Sequence, residues 1–315
     1  MDIHRLQYPD HTTTGLNERY SLAIGFFDGL HKGHQAVIRA AQEKAADLGI
    51  RSAVMTFDPH PSHLFGGGKN KVSYITQFPE KVRLLNEMGV DTLFVVNFDS
   101  ELASLTPGKF VEVFIKGLQV EHVTGGFDFT FGSKGAGTMK MMDSLSDGAY
   151  GTTIIGKVSD RDEKVSSTRI RQLLAKGDVE ETARLLGRPF RTIGIVGHGD
   201  KRGKLLGFPT ANLMPDPDTL LPANGVYAVR FSYDGGTFDG VCNVGVKPTF
   251  QDPSRMRPSV EVHVLDLDEN LYGKDVAVDW ISHIRNERKF ESVDALIEQI
   301  GLDKETAKEL LAKQG

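Results

Sequence analysis

The chain has 315 residues, a length that suits two ordinary domains better than one oversized core. Hydrophobic residues make up 39% and charged residues 25%, a globular balance; the formal net charge of −5, with no long run of Lys and Arg, argues against nucleic-acid binding and for a small substrate. The single cysteine, Cys242, excludes an intramolecular disulfide and a cysteine-based metal cluster. The opening Met1-Asp2-Ile3-His4-Arg5 lacks a secretory apolar segment and no apolar run nears the roughly 20 residues of a membrane span, so the expectation is a reduced, cytoplasmic protein with no membrane partner.

In chain order, residues 21–27 read as a buried strand. Residues 33–48 then place Val37, Ile38, Ala41, Ala45 and Leu48 on one helical face, stopped by Gly49. A second strand is predicted over 51–57, a helix over 79–88 and a third strand over 91–98. Thr106-Pro107 forms a helix start, with proline at the first helical position. Further strands follow near 121–124 and 152–158. Strands alternating with helices imply right-handed crossovers, a parallel sheet covered on both faces, and ligands beyond the carboxyl ends of the strands.

Two short helices, 167–176 and 179–186, precede Gly187-Arg188-Pro189, where the helical period stops. Short strands with Gly, Pro and Asp turns replace it, over 191–196, 225–233, 238–244, 259–267 and 275–284. That spacing predicts a small antiparallel barrel or sandwich. Helices over 292–300 and 304–313 close the chain. The expected boundary lies at residue 187, giving domains 1–187 and 188–315, with no internal repeat.

Two stretches carry chemistry. Residues 25–34, G-F-F-D-G-L-H-K-G-H, link the first strand to the first helix. Glycines there let backbone approach a ligand closely, and the helix start offers N–H groups and a positive dipole end to an anion. His31 and His34 can point into one space and donate to oxygens that gain charge in a transition state. The bland readings are a turn with a satisfied core histidine, or a zinc pair lacking an evident third ligand. The stretch V-S-S-T-R-I-R, residues 165–171, adds hydroxyls and two arginines at another helix start. By itself it is an ordinary N-cap; beside the histidines it resembles the second half of a phosphate clamp.

The later half has no G-x-x-x-x-G-K-[ST], which excludes a Walker-type kinase. It carries instead a glycine-dense stretch, residues 194–212, ending in P-T-A-N. Such a stretch is usually a set of tight turns, but Thr210 and Asn212 can present oxygens on one side, and hard oxygen ligands suit Mg2+. Val260, Val262 and Val264 share one strand face, which puts Glu261 and His263 on the other.

These motifs together resemble the prokaryotic bifunctional riboflavin kinase/FMN adenylyltransferase family, a branch of the HxGH nucleotidyltransferases. The pattern G-x-F-D-G-x-H-x-G-H matches residues 25–34 in full. T-F-D-P-H-P (56–61), G-F-D-F-T-F-G (126–132) and S-T-R-I-R (167–171) follow in the family's order, and P-T-A-N (209–212) matches the riboflavin kinase signature. Gly225-Val226-Tyr227, Asn243-Val244-Gly245, Pro248-Thr249-Phe250, Glu261 with His263, Leu271-Tyr272-Gly273, Ile284-Arg285 and Glu287 continue the match.

The resemblance implies a Rossmann-like α/β nucleotidyltransferase domain followed by a small antiparallel β-barrel riboflavin kinase domain with a C-terminal helix. It implies ATP-dependent conversion of riboflavin to FMN and ADP, then of FMN and ATP to FAD and pyrophosphate, with Mg2+. Gly25, Phe26, Asp28, Gly29, His31, His34, Ser167, Thr168 and Arg171 would hold ATP for adenylyl transfer, and Phe57, His60, Pro61 and Asp128 the FMN. Gly197, Gly203, Lys204, Gly207, Thr210 and Asn212 would hold ATP and metal for the kinase, Glu261 would be its base, and Arg285 and Glu287 would lie near riboflavin; His263 is left structural. The rival expectations are the same fold with one activity retained, a transferase for another acceptor, and a non-enzymatic flavin or RNA regulator.

Overall fold

A computed structural model of the chain describes residues 1–9, 18–65, 72–199, 203, 206–246 and 258–314. The chain divides into two compact units, Met1–Ser73 with Phe78–Ser166 and Tyr74–Gln77 with Ser167–Gly315.

In the first unit, strands β1 (Asp2–Leu6), β2 (Tyr20–Ile24), β3 (Arg51–Asp58), β4 (Thr92–Asn97), β5 (Val120–Gly126) and, after the hairpin of β6 (Thr130–Phe131) and β7 (Gly137–Thr138), β8 (Gly151–Ile155) form most of the β structure. The six long strands build one sheet in the order β1-β4-β3-β2-β5-β8, every neighbouring pair parallel. The helices are α1 (Lys32–Leu48), α2 (Pro61–Phe65), α3 (Phe78–Glu87), α4 (Ser100–Ser104), α5 (Pro107–Phe110) with a π-helical continuation over Val111–Lys116, and α6 (Met139–Ser144). A short antiparallel pair, β9 (Ser159–Asp160) and β10 (Glu163–Lys164), follows β8.

Sheet strands buried on both faces read as continuous apolar runs, and alternation splits them between two layers. Leu22, Ile24, Met55, Phe94 and Val96 pack on one side with Phe110 and Phe114. Ala23, Val54, Leu93 and Val95 pack on the other with Val37, Ile38 and Leu85. Helix α1 buries Val37, Ile38, Ala41 and Ala45 of the predicted face, whereas Leu48, in its last turn, is exposed; the helix stops at Gly49, whose φ of 64° lets its N–H bond back to Ala45 and Ala46. Thr106 caps α5 by accepting from the Lys109 N–H.

From β2 the chain builds outward through β3 to β4 on one side, whereas β5 lies on the other side of β2. The order of strands therefore reverses between β2 and β5, and the loops leaving these two strands border the crevice where such sheets bind ligands. Residues 25–31 form one of those loops. Strand β1 was not expected: Asp2–Leu6 is a short, mostly exposed edge strand paired with β4, and its polar sequence carries no clear alternation.

In the second unit, α7 (Ser167–Leu174) and α8 (Val179–Leu186) precede a closed barrel. Its strands are β11 (Phe190–Gly197), β12 (Ala211–Met214), β13 (Gly225–Tyr233), β14 (Gly236–Val246), β15 (Pro258–Val264) and β16 (Asp275–Arg285), closing in the order β11-β12-β15-β14-β13-β16 with antiparallel pairs. The barrel reading holds, with β12 as an additional strand that begins at the end of the glycine-dense stretch. Trp280, the sole tryptophan, is fully buried, and its Nε1 donates to the Thr192 hydroxyl at 2.9 Å. Helix α9 (Val293–Ala312) sets Ala307 and Leu311 against Val226, Ala228, Val241 and Ile281 of the barrel.

Helix α9 corrects the expectation of two terminal helices. Gly301 costs the helix about 1 kcal/mol relative to alanine, but Asp303 just beyond it is buried and ion-paired with Arg285 of β16, which holds the helix through the glycine.

Candidate active sites

The loop between β2 and α1 is tightly wound. Phe27, Gly29 and Leu30 have φ of 53°, 91° and 44°. Strain at the two non-glycine positions persists only where the surroundings enforce it, and both side chains are buried in the apolar layer. His31 is the N-cap of α1: its Nδ1 accepts the His34 backbone N–H at 3.2 Å. A neutral imidazole that accepts at Nδ1 carries its proton at Nε2, so His31 presents an Nε2–H donor. The His31 and His34 rings stack with centroids 3.6 Å apart and planes 17° from parallel. A Cβ on Gly33 would stand 3.1 Å and 3.2 Å from His31 ring atoms, which explains the glycine between them.

His34 is driven well below the ordinary histidine range by burial, with the Lys81 charge adding to the effect, and is therefore neutral at neutral pH. Its Nδ1 is buried without a hydrogen-bond partner among the described residues, and the edge of Phe27 meets its ring at 5.4 Å. Asp28 is buried in the same loop.

The adjoining loop leaves β3. Thr56 donates to the Phe26 carbonyl at 2.9 Å, and the Phe26 and His60 rings meet edge-on at 4.3 Å. His60 Nδ1 accepts the Ser62 N–H at 3.0 Å, and Pro61 opens α2. Phe57 instead points into the core, against Phe98 and Phe110 at 6.4 Å each, and supports the loop from beneath. Asp128, on the loop after β5, is exposed and ion-paired with Lys164, whose ammonium lies 4.8 Å from the centre of the Phe127 ring.

Sequence reasoning missed Lys81. It lies on α3 with 4% exposure and donates to the Phe26 carbonyl at 3.0 Å and to the Thr56 hydroxyl at 3.2 Å. The available signal was its spacing: Lys81 stands three and four residues before Leu84 and Leu85, on the buried stripe.

Ser167, Thr168 and Arg171 occupy the start of α7 in the second unit, and Ile170 and Leu174 bury its inner face. Arg169 is directed to Glu181 of α8 at 3.1 Å.

In the barrel, strand register assembles a polar row. Asn212 of β12 lies opposite Gly197 of β11 on one side and Glu261 of β15 on the other, and Glu261 lies opposite Asn243 of β14. Opposed residues in antiparallel strands share a face, so Asn212, Glu261 and Asn243 stand side by side while Ala211, Cys242 and Val262 turn to the other face. Thr210 lies immediately before β12, two residues ahead of Asn212. A Cβ on Gly199 would fall 2.1 Å from the Asn212 amide nitrogen, so the glycine stretch passes directly over that side chain. Gly203 accepts the Leu206 and Phe208 N–H groups at 3.1 Å and 2.8 Å, and Gly207 adopts φ 85°. Lys204, residues 200–202 and Pro248-Thr249-Phe250 lie outside the described residues.

His263, two residues beyond Glu261, donates from Nδ1 to the Pro209 carbonyl at 2.8 Å, and its ring meets Phe208 edge-on at 5.5 Å. It ties the P-T-A-N segment to β15. Glu287 accepts from the Asn224 amide at 3.1 Å and lies so close to Gly245 that a Cβ there would be 2.4 Å from its carboxylate oxygen. The Arg285 guanidinium forks onto Asp303 at 2.7–3.0 Å.

A family model described as FAD synthetase matches residues 14–169 and one described as riboflavin kinase matches residues 186–311. The chain is 43% identical over 305 residues to a bifunctional riboflavin kinase/FMN adenylyltransferase of Bacillus subtilis, covering 97% of this chain and 96% of that one. It is 37% identical to the protein of that name from Escherichia coli K12, covering 91% of each. A crystal structure from Streptococcus pneumoniae, described as a macrolide-efflux protein, shares the fold at a TM-score of 0.87 and 34% identity, covering 98% of this chain and 99% of that one. Among the described residues of this chain, no helix is long and apolar enough to cross a membrane.

Proposed function

The chain belongs to the bifunctional riboflavin kinase/FMN adenylyltransferase family, and from that membership we propose which residues carry each of its two reactions. It phosphorylates riboflavin to FMN with ATP, and it transfers the adenylyl group of a second ATP to FMN, giving FAD and pyrophosphate. We assign adenylyl transfer to residues 1–187 and riboflavin phosphorylation to residues 188–315.

For adenylyl transfer, an FMN phosphate oxygen attacks the α-phosphorus of ATP as the bond to the β-phosphate breaks. No protein nucleophile takes part; the protein contributes positioning and charge stabilisation. His31 and His34 face the ATP phosphates. The observation carrying this assignment is the capped, stacked histidine pair at the point where the sheet order reverses: the cap fixes the His31 tautomer so that Nε2–H donates without rearrangement. Gly25, Phe26, Asp28 and Gly29 shape the loop beneath the nucleotide. His60, Pro61 and Asp128 line the FMN side, with Phe57 packed behind them. Ser167, Thr168 and Arg171 hold the departing pyrophosphate, a role supported by the family motif.

For the kinase, Glu261 takes the proton from the ribityl hydroxyl as its oxygen attacks the γ-phosphorus of ATP. Its support is the row Asn212–Glu261–Asn243, which sets the carboxylate beside the amide of the P-T-A-N segment. Thr210 and Asn212 would hold Mg2+: a hydroxyl and an amide oxygen beside a carboxylate form a hard-oxygen set that suits the ion. When bound, Mg2+ supplies positive charge against the phosphates. Gly197, Gly203, Lys204 and Gly207 belong to the loop that receives ATP. Glu287 faces the flavin, and Arg285 serves that region by anchoring α9 through Asp303. We place the enzyme in the cytoplasm, in keeping with its free, buried Cys242, whose thiol burial pushes well above the usual range.

Chromatography of flavin products from full-length variants tests the assignment. Glu261→Ala should form no FMN from riboflavin yet still convert FMN to FAD. His31→Ala should accumulate FMN. Loss of both steps in either folded variant overturns the placement of that residue.

A further inference from the structure

Lys81 stands outside the recognised motifs, yet three parts of the first site meet at its ammonium. Its two hydrogen bonds go to the Phe26 carbonyl in the β2–α1 loop and to Thr56 at the end of β3. Thr56 in turn donates to the same Phe26 carbonyl, closing a triangle of three polar groups. The ammonium also lies 4.8 Å from the centre of the Phe26 ring, whose edge contact with His60 continues into the 57–61 loop. A buried ammonium is costly unless it is bonded and faced by opposite charge. Asp28 and Asp58 are the carboxylates that act on it, His34 is the imidazole that feels its charge, and Arg5 of β1 approaches Asp58 at 3.9 Å.

We propose that Lys81 is a positioning residue for adenylyl transfer, its ammonium locking the Phe26 carbonyl and the Thr56 hydroxyl together so that the His31–His34 pair and the 57–61 loop keep the spacing that in-line attack requires. The proposal rests on the assignment of adenylyl transfer to the Gly25–His34 loop. Freed of that lock, the loop keeps its glycines and its cap but loses the brace between the nucleotide side and the flavin side. Misplacement of reacting groups by about 1 Å costs on the order of 100-fold in rate. Burial lowers the Lys81 pKa to about 8, so the brace weakens just above neutral pH.

Steady-state kinetics of both reactions on the full chain test this, with wild type, Lys81→Met, Lys81→Gln and His31→Ala. Lys81→Met should lower kcat for FMN to FAD by about 10- to 100-fold, with little change in KM for ATP and with riboflavin phosphorylation unaltered. Lys81→Gln keeps an amide NH2 donor group without the charge and should fall between. Wild-type adenylyl transfer should show an alkaline limb near pH 8 that the kinase reaction lacks and Lys81→Gln abolishes. Unchanged kcat and an unchanged alkaline limb in Lys81→Gln overturn the proposal, as does a parallel fall in both reactions. Should Lys81→Met fail to fold, Lys81→Gln decides alone. Normal FAD output from His31→Ala would instead remove the whole loop from the site, and the proposal with it.

Discussion

The bond between Arg285 and Asp303 decides whether Arg285 is a flavin ligand or a structural anchor. Asp303 is 2% exposed and accepts from Arg285 Nε at 2.9 Å and 3.0 Å and from a terminal nitrogen at 2.7 Å. Gln299, one turn earlier on α9, adds a further donor at 2.7 Å. Arg285→Ala leaves a buried carboxylate short of its cation, at a cost of about 3–5 kcal/mol. With an m-value of about 2 kcal/mol per molar urea, the unfolding midpoint of the second unit drops by about 1.5–2.5 M. The sole tryptophan, Trp280, lies inside that barrel, so its fluorescence follows this unit and not the first. Arg285→Met combined with Asp303→Leu removes both charges and should recover most of the loss, because an apolar pair can replace a buried ion pair at little cost. If the anchor reading is right, the double variant also keeps the wild-type KM for riboflavin. A midpoint shift below about 0.3 M in Arg285→Ala, or a recovered midpoint with KM raised about tenfold, refutes it.

Three other outcomes follow from the geometry. His34 is neutral when folded and takes a proton near the ordinary histidine value when unfolded; its contribution to stability is therefore present above about pH 6.5 and lost as pH falls toward its lower folded value. Urea titrations of the wild type followed by far-UV circular dichroism should show that slope, and His34→Gln should flatten it. Gly199→Ala drives a methyl into the Asn212 amide, so FMN formation should fall at least tenfold while FMN-to-FAD conversion holds, as read in a coupled ADP-release assay run beside the FAD assay. Gly33→Ala crowds the His31 ring and should reverse that selectivity, slowing FAD formation while FMN formation persists in the same two assays.

The parallel sheet was legible because β2, β3 and β4 are buried on both faces and carry apolar runs at their centres, and α1 because its apolar spacing ends on Gly49. The edge strand β1 was not, since a strand with one partner needs little apolar sequence. The single helix α9 was hidden by Gly301, because local propensity carries no trace of the Arg285–Asp303 bond that spans it. In the proposed sites, the histidine pair, Glu261 and Asn212 were visible as motifs, and the alternation of Val260, Val262 and Val264 placed Glu261 on the face opposite these buried valines, as the register has it. Lys81 was hidden because a lysine on an amphipathic helix reads as solvated; only its position one turn before Leu84 and Leu85 marks it as buried. The neutral state of His34 and the inward turn of Phe57 depend on packing that sequence spacing does not encode.

Mixing two inactivated proteins tests most directly that one chain carries two separable sites. Glu261→Ala and His31→Ala, each checked for folding, are incubated with riboflavin, ATP and Mg2+, first separately and then together, and the flavins are resolved by chromatography. Separately, Glu261→Ala should leave riboflavin untouched and His31→Ala should stop at FMN; together they should yield FAD. If the mixture accumulates FMN without FAD, or if either variant alone makes FAD from riboflavin, the division of the two reactions between these residues is wrong.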